Sequence, residues 1–305
     1  LSGIDLSVEI AGVRFRNPIL TASGTFGYGE EFNDYIDLSR LGGIVTKSIT
    51  RQPRLGHKPP RTCETTGGML NAIGLANVGV ERFISEKIPF LKSLDTNVIV
   101  NVAGFSLDEY SEVTRMLNDC EGIKMLEINI SCPNVGADGL EFSSTAQSAF
   151  KLTNELKKIS RFPLIIKLSP NVTDIASIAK ACEDAGADAL SLINTLVGMA
   201  IDHTTFKPRL TNVTGGLSGP AIKPVALACV MKVYRRVRIP IIGIGGIMDH
   251  FDVAQFLIAG ATAVQFGTAN FVDPDCTVSA VDGLRDYLAG MNMSKVADLV
   301  GKLQV

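Results

Sequence analysis

Eight short runs rich in isoleucine, valine and leucine punctuate the chain, at 18–21, 43–47, 97–102, 125–130, 164–168, 189–193, 240–244 and 263–267. Most are apolar at successive rather than alternate positions. That pattern marks strands covered on both faces, as parallel strands require. Between them lie stretches of helical length with an amphipathic pattern, at 80–94, 106–117, 144–159, 175–185, 224–233 and 251–259. About eight strand–helix units in this order predict a (β/α)₈ TIM barrel. A doubly wound open sheet uses the same units, but here the repeats continue with no break to mark a second half.

Three junctions repeat one another: Leu41-Gly42-Gly43-Ile44-Val45, Ala185-Gly186-Ala187-Asp188-Ala189-Leu190 and Ala259-Gly260-Ala261-Thr262-Ala263-Val264. In each, a helix end passes through glycine, which accepts the left-handed closing conformation, into the next strand. Two segments exceed the unit length, 50–78 after the second strand and 195–220 after the sixth. Both follow strand C-terminal ends, where barrels carry their chemistry, so they are expected to roof the site, the second as a polar hairpin excursion. Residues 8–18 are expected to form a small hairpin closing the opposite end. The whole chain, 1–305, reads as one domain, since barrels of this kind commonly reach about 250 residues or more.

Composition adds exclusions. Acidic and basic residues nearly balance, 31 against 29, and are mixed along the chain. Neither nucleic acid nor an anionic membrane is therefore expected as a partner. The six cysteines include no Cys-x-x-Cys spacing, so no metal site and no local iron–sulfur cluster is expected. Scattered unpaired cysteines fit a reducing compartment. No basic-then-apolar leader opens the chain and no run reaches about 18 uninterrupted apolar residues. The expectation is a soluble, cytoplasmic protein.

The strands end in Ser23, Lys47, Asn101, Asn129, Lys167, Asn194, Gly245-Gly246 and Gly267-Thr268. Polar residues at strand exits are ordinary, but two lysines and three asparagines are poor strand residues, and one shared pocket accounts for them better. Gly243-Ile244-Gly245-Gly246 and Gly267-Thr268 end strands seven and eight, the pair whose loops commonly bind phosphate in barrels. The first lacks the third glycine and the acidic residue of a dinucleotide fingerprint, which points to a mononucleotide. Cys182 and Cys229 lie in helical patterns and read as inert core. Cys132 instead sits in the loop Asn129-Ile130-Ser131-Cys132-Pro133-Asn134, followed by a Gly- and Ser-containing lid at 136–144. A thiol there is a candidate base for a carbon acid.

Asn129-Ile130-Ser131-Cys132-Pro133-Asn134-Val135 and Asn71-Ala72-Ile73-Gly74-Leu75 resemble the class I dihydroorotate dehydrogenases. So do Ala22-Ser23-Gly24-Thr25-Phe26-Gly27, Lys167-Leu168-Ser169-Pro170-Asn171, Ile193-Asn194-Thr195 and Gly215-Gly216-Leu217-Ser218-Gly219-Pro220, six motifs in order over essentially the whole chain. Gly24–Gly27 and Asn134–Gly139 are most similar to the catalytic subunit of the NAD-linked subclass (1B). The resemblance implies a cytoplasmic enzyme of pyrimidine biosynthesis that oxidises dihydroorotate to orotate with one FMN per chain. Cys132 would remove the C5 proton while the C6 hydride passes to FMN, and Lys167 would balance charge on the reduced ring. By the same resemblance Ser23, Lys47, Ser48, Asn101, Asn129, Lys167, Ile193, Gly219, Gly245, Gly246, Gly267 and Thr268 contact the cofactor. Lys47, Asn71, Ala72, Ile73, Gly74, Leu75, Asn129, Asn134, Asn194 and Thr195 bind the substrate. FAD and a [2Fe–2S] cluster are implied only on a partner subunit, in a heterotetramer of two catalytic and two partner chains. Ala76, where relatives often carry glutamine, and Cys63, where alanine is common, depart from the pattern without touching a proposed catalytic role.

Alternatives are a stand-alone fumarate-linked enzyme, a dihydropyrimidine-reducing flavoenzyme, a Schiff-base lysine enzyme and an inactive scaffold. The dihydropyrimidine-reducing enzymes typically carry histidine at the position of Asn134. A Schiff-base enzyme would be colourless.

Overall fold

A computed structural model describes residues 3–131, 142 and 144–304 of the chain. Its centre is a closed barrel of eight parallel strands: β1 (Ile19–Thr21), β2 (Gly43–Val45), β3 (Asn97–Val102), β4 (Ile123–Asn129), β5 (Leu164–Lys167), β6 (Ala189–Leu192), β7 (Ile241–Ile244) and β8 (Ala263–Phe266). Each pairs with its neighbours in chain order and β8 pairs with β1, so no sheet edge remains open. Every residue of β5, β6, β7 and β8 is buried, which is why these runs are apolar without alternation. The TIM barrel expected from the pattern is the observed architecture.

Outside the barrel run α1 (Leu107–Leu117), α2 (Ala146–Ile159), α3 (Ile175–Asp184), α4 (Lys223–Tyr234), α5 (His250–Ala259) and α6 (Cys276–Gly290). Local capping sets several starts. Ser106, Thr145, Asp174 and Asp249 each accept a hydrogen bond from a backbone N–H of the first turn of α1, α2, α3 and α5. The stretch read as one helix over 80–94 is interrupted by a π-helical turn at Phe83–Lys87 before Ile88–Ser93 resumes. Pro89 supplies no N–H for an ordinary i→i−4 bond and crowds the preceding turn, so regular helix does not run through it. No helix of the described residues is long and apolar enough to cross a membrane.

The repeated glycine junctions have two physical origins. Gly186 and Gly260 close α3 and α5 at φ 95° and 118°. Gly42 is different: its φ is not among the positive ones, and a side chain there would run into the Asn17 carbonyl. Close backbone approach, not handedness, requires it.

At the N-terminal end of the barrel, strands Val8–Ile10 and Val13–Phe15 form the expected hairpin, anchored where Asn97 at the start of β3 donates to the Arg14 carbonyl at 2.9 Å. At the other end the two long excursions do not stay separate. Strands Thr62–Thr65, Gly68–Asn71, Thr214–Ser218 and Leu196–Met199 join in one antiparallel sheet, with Asn71 opposite Gly216 and Leu70 opposite Leu217. Leu70, Ala72 and Leu210 form a small apolar cluster of its own. The excursion expected to be polar exposes Val197, Met199, Ile201, Phe206 and Val213, so the hairpin is more apolar outside than its loop-like sequence suggested.

Candidate active site

The C-terminal ends of β1, β3, β4, β5 and β8 bring polar side chains to one place. Lys167 ends β5 and is only 5% exposed; its Nζ donates to Ser23 Oγ beyond β1 at 3.0 Å. The same Nζ lies 3.5 Å from Glu127 Oε1 on β4, and Glu127 is fully buried. Asn101 on β3 donates to Glu127 Oε1 and Gln265 on β8 donates to Oε2, both at 2.6 Å. A buried lysine ammonium is costly unless an anion and hydrogen-bond partners surround it, and this network supplies them.

A second set lies beside it, since Asn129 pairs with Lys167 across β4 and β5. Asn194 Nδ2 donates to Asn129 Oδ1 at 3.3 Å, and Asn194 Oδ1 accepts from the Thr195 N–H at 2.7 Å. The chain leaving β4 is tied down three times: Tyr110 on α1 donates its hydroxyl to the Asn129 carbonyl at 2.6 Å, the Ser131 N–H donates to Asn129 Oδ1, and the Ser131 hydroxyl donates to the Lys167 carbonyl. Within the roof, Asn71 donates to the Gly216 carbonyl at 3.3 Å, and Gly216 lies against the Thr195 side chain. Ala72 is buried and Ile73, Gly74 and Leu75 are half-buried where the chain leaves the roof strand Gly68–Asn71.

The glycine turns form the third part. A side chain on Gly246 would meet the Gly219 carbonyl and the Lys223 N–H, whereas one on Gly267 would find only Ala22 at 3.7 Å. Thr268 donates to Ser218 Oγ at 2.8 Å, and Ile193, beside Gly245, donates its N–H to the Ile244 carbonyl. Among the described residues, no backbone acceptor takes the N–H groups of Gly245, Gly246, Gly267 or Thr268. Open N–H groups, three of the four on glycine, suit an anion.

Lys47 and Ser48, one half-buried and one buried, follow β2. Burial pushes the Lys47 ammonium below its usual pKa range, the positive charge of Arg61 adds to the shift, and Glu31 opposes it. Of the residues expected at the site, Cys132 and Asn134 lie outside the described residues. Cys182 is fully buried, and burial pushes its thiol up to about 12.

Sequence reasoning missed Glu127, Gln265 and Tyr110. The signal for the first was present, because Glu127 stands two residues before Asn129 on the same strand and so faces the same side. An acid amid Met-Leu-Glu-Ile, facing a covered interior, needs a cation. No comparable signal marked Tyr110, whose hydroxyl finds its partner 19 residues away.

Comparison with known proteins agrees with this geometry. The family model for dihydroorotate dehydrogenase matches residues 5–288. The dihydroorotate dehydrogenase B (NAD(+)) catalytic subunit of Geotalea daltonii is 54% identical over 301 residues, 99% of each chain. The protein of the same description from Geobacter sulfurreducens is 53% identical over 301 residues, again 99% of each. In fold, the chain is similar to the DHODH of Eimeria tenella solved in complex with ferulenol, with a TM-score of 0.81 over 98% of this chain and 88% of that one, at 22% identity.

Proposed function

The chain belongs to the dihydroorotate dehydrogenase family, and we propose that it oxidises dihydroorotate to orotate in pyrimidine biosynthesis as the catalytic subunit of an NAD-linked enzyme. The observation that carries this reading is the buried Lys167 ammonium at the barrel rim, set between Ser23 and Glu127 and next to the Asn129–Asn194 amide pair. It joins a cation suited to a ring that gains negative charge with amides suited to a planar imide.

The residues fit FMN as the cofactor. Gly245, Gly246, Gly267 and Thr268 offer N–H groups to its phosphate, and Gly267 leaves open space beside Ala22. Asn101 Oδ1 is buried with no hydrogen-bond partner in the chain, an acceptor free for a donor of the ring. Ser23, Lys47, Ser48, Asn129, Lys167, Ile193 and Gly219 complete the set that would hold the cofactor. When bound, FMN supplies the acceptor for the hydride leaving C6 of the substrate. The chain does the rest. Cys132 removes the C5 proton, Asn71–Leu75, Asn129, Asn134, Asn194 and Thr195 orient the pyrimidine ring, and Lys47 holds its carboxylate. Lys167, held at the rim, would balance the negative charge the reduced ring gains.

Onward transfer to NAD needs a further carrier, which we assign to a partner subunit bearing FAD and a [2Fe–2S] cluster, two of each chain forming a heterotetramer. The test is anaerobic. Dihydroorotate is expected to bleach the flavin of the purified native complex, and NAD to restore its colour. Reoxidation by fumarate alone, in a preparation without a second chain, would assign the protein to the stand-alone subclass. A protein with no flavin to bleach would overturn the reading.

Lys47 gives a pH-dependent prediction. Its lowered pKa means the unliganded fold disfavours the ammonium, a penalty present below the folded pKa and relieved as pH rises through it. A bound carboxylate favours the ammonium, so orotate affinity is expected to fall as pH climbs through that lowered value, before the 10.5 of an ordinary lysine. Lys47→Met removes a charged hydrogen bond of about 1.5–3 kcal/mol, weakening orotate roughly 10- to 100-fold at neutral pH. Calorimetric titration of both proteins across pH checks this. Equal affinities, or identical pH profiles, would remove Lys47 from the carboxylate site.

A further inference from the structure

Glu127 has no part in the reaction above, yet it is a fully buried carboxylate in the middle of the barrel. Its clamps come from opposite sides: Asn101 on the adjacent β3, and Gln265 on β8, which faces β4 across the interior. The third group facing it is the Lys167 ammonium. All three are donors, and a set of donors holds a carboxylate rather than a neutral acid, which would need an acceptor for its own proton. Lys167 in turn reaches Ser23, so one chain of contacts runs from β8 through β4 and β5 to the rim beyond β1.

We infer that Glu127 is a positioning residue for Lys167: the two amides fix the carboxylate, the carboxylate fixes the ammonium, and its negative charge offsets part of the field that the ammonium exerts on the flavin. This rests on the proposed flavin site. A flavin bound there would take up negative charge on accepting the substrate's hydride. A bare lysine beside it favours the reduced state, and an anion 3.5 Å from that lysine weakens the preference. Glu127 therefore holds the flavin potential below the value Lys167 alone would set. That leaves the reduced cofactor a better donor to the next carrier.

The test is the two-electron reduction potential of bound FMN, titrated against redox dyes in the native complex. Glu127→Gln keeps the side chain's size and removes its charge. The reduction equilibrium is expected to move at least tenfold toward reduced flavin, which is a positive shift of about 30 mV for a two-electron couple. A purely structural role would lower flavin content or stability without that directed shift. The double variant E127Q/Q265E keeps a donor–acceptor chain while moving the carboxylate to position 265, and is expected to give a potential between the wild type and the single variant. It carries the test if the single variant does not fold. Flavin-loaded variants at the wild-type potential, or shifted negative, overturn the inference alone. A wild-type protein without flavin overturns the proposed function and this inference with it.

Discussion

Cys132→Ala is expected to slow dihydroorotate oxidation by roughly 100- to 10,000-fold, the range that a positioned acid–base group supplies. Flavin content and fold should be unchanged. The anchoring of the preceding residue supports the prediction. Ser131 is bound through its N–H to Asn129 Oδ1 and through its hydroxyl to the Lys167 carbonyl at the end of β5, so the chain leaving β4 is held at the rim. The measurement is anaerobic stopped-flow reduction of the flavin, which isolates the step that needs the base. The rate should rise with pH as the thiol ionises, and the alanine variant should lose that dependence. Cys132→Ser should retain more of the rate only at higher pH, because a hydroxyl is the weaker acid. Wild-type reduction by the alanine variant would end the assignment.

Lys167→Met carries the other large effect, on stability as well as chemistry. Removing the cation leaves the Glu127 carboxylate buried without its charge partner, a loss of about 3–5 kcal/mol when one member of a buried pair is deleted. Denaturant unfolding should register it, and flavin reduction by dihydroorotate should fail. Because the two groups are coupled, Lys167→Met combined with Glu127→Gln should recover part of the lost stability but none of the activity. If the second change adds further loss instead, the pair does not interact as the geometry requires.

Much of the barrel could be read from the sequence because its rule is local. Strands buried on both faces must be apolar throughout, so each run announced itself, and the rim followed from what ended each run. Ser23, Lys167, Asn129 and Asn194 were legible because polar residues after apolar runs stand out, and the structure joins them directly. The roof was not legible. Asn71 and Gly216 pair across 145 positions, and nothing in either excursion announces the other. Glu127 was passed over for the opposite reason. Its apolar neighbours fit a strand so well that its charge does not stand out locally, although the interior-facing side of a parallel strand is where a charge requires explanation. The turn at Phe83–Lys87 and the crowding at Gly42 depend on geometry that spacing does not encode.

The canopy stitched from two distant excursions also orders events in time. Its strands can meet only after the barrel staves between them stand side by side, so the canopy should be the last part to assemble and the first to fray on warming. The proposed phosphate cradle at Gly245–Gly246 and Gly267–Thr268 belongs mainly to the staves, whereas 71–75 hang from the canopy. Gentle heating should thus yield a protein still yellow but blind to orotate.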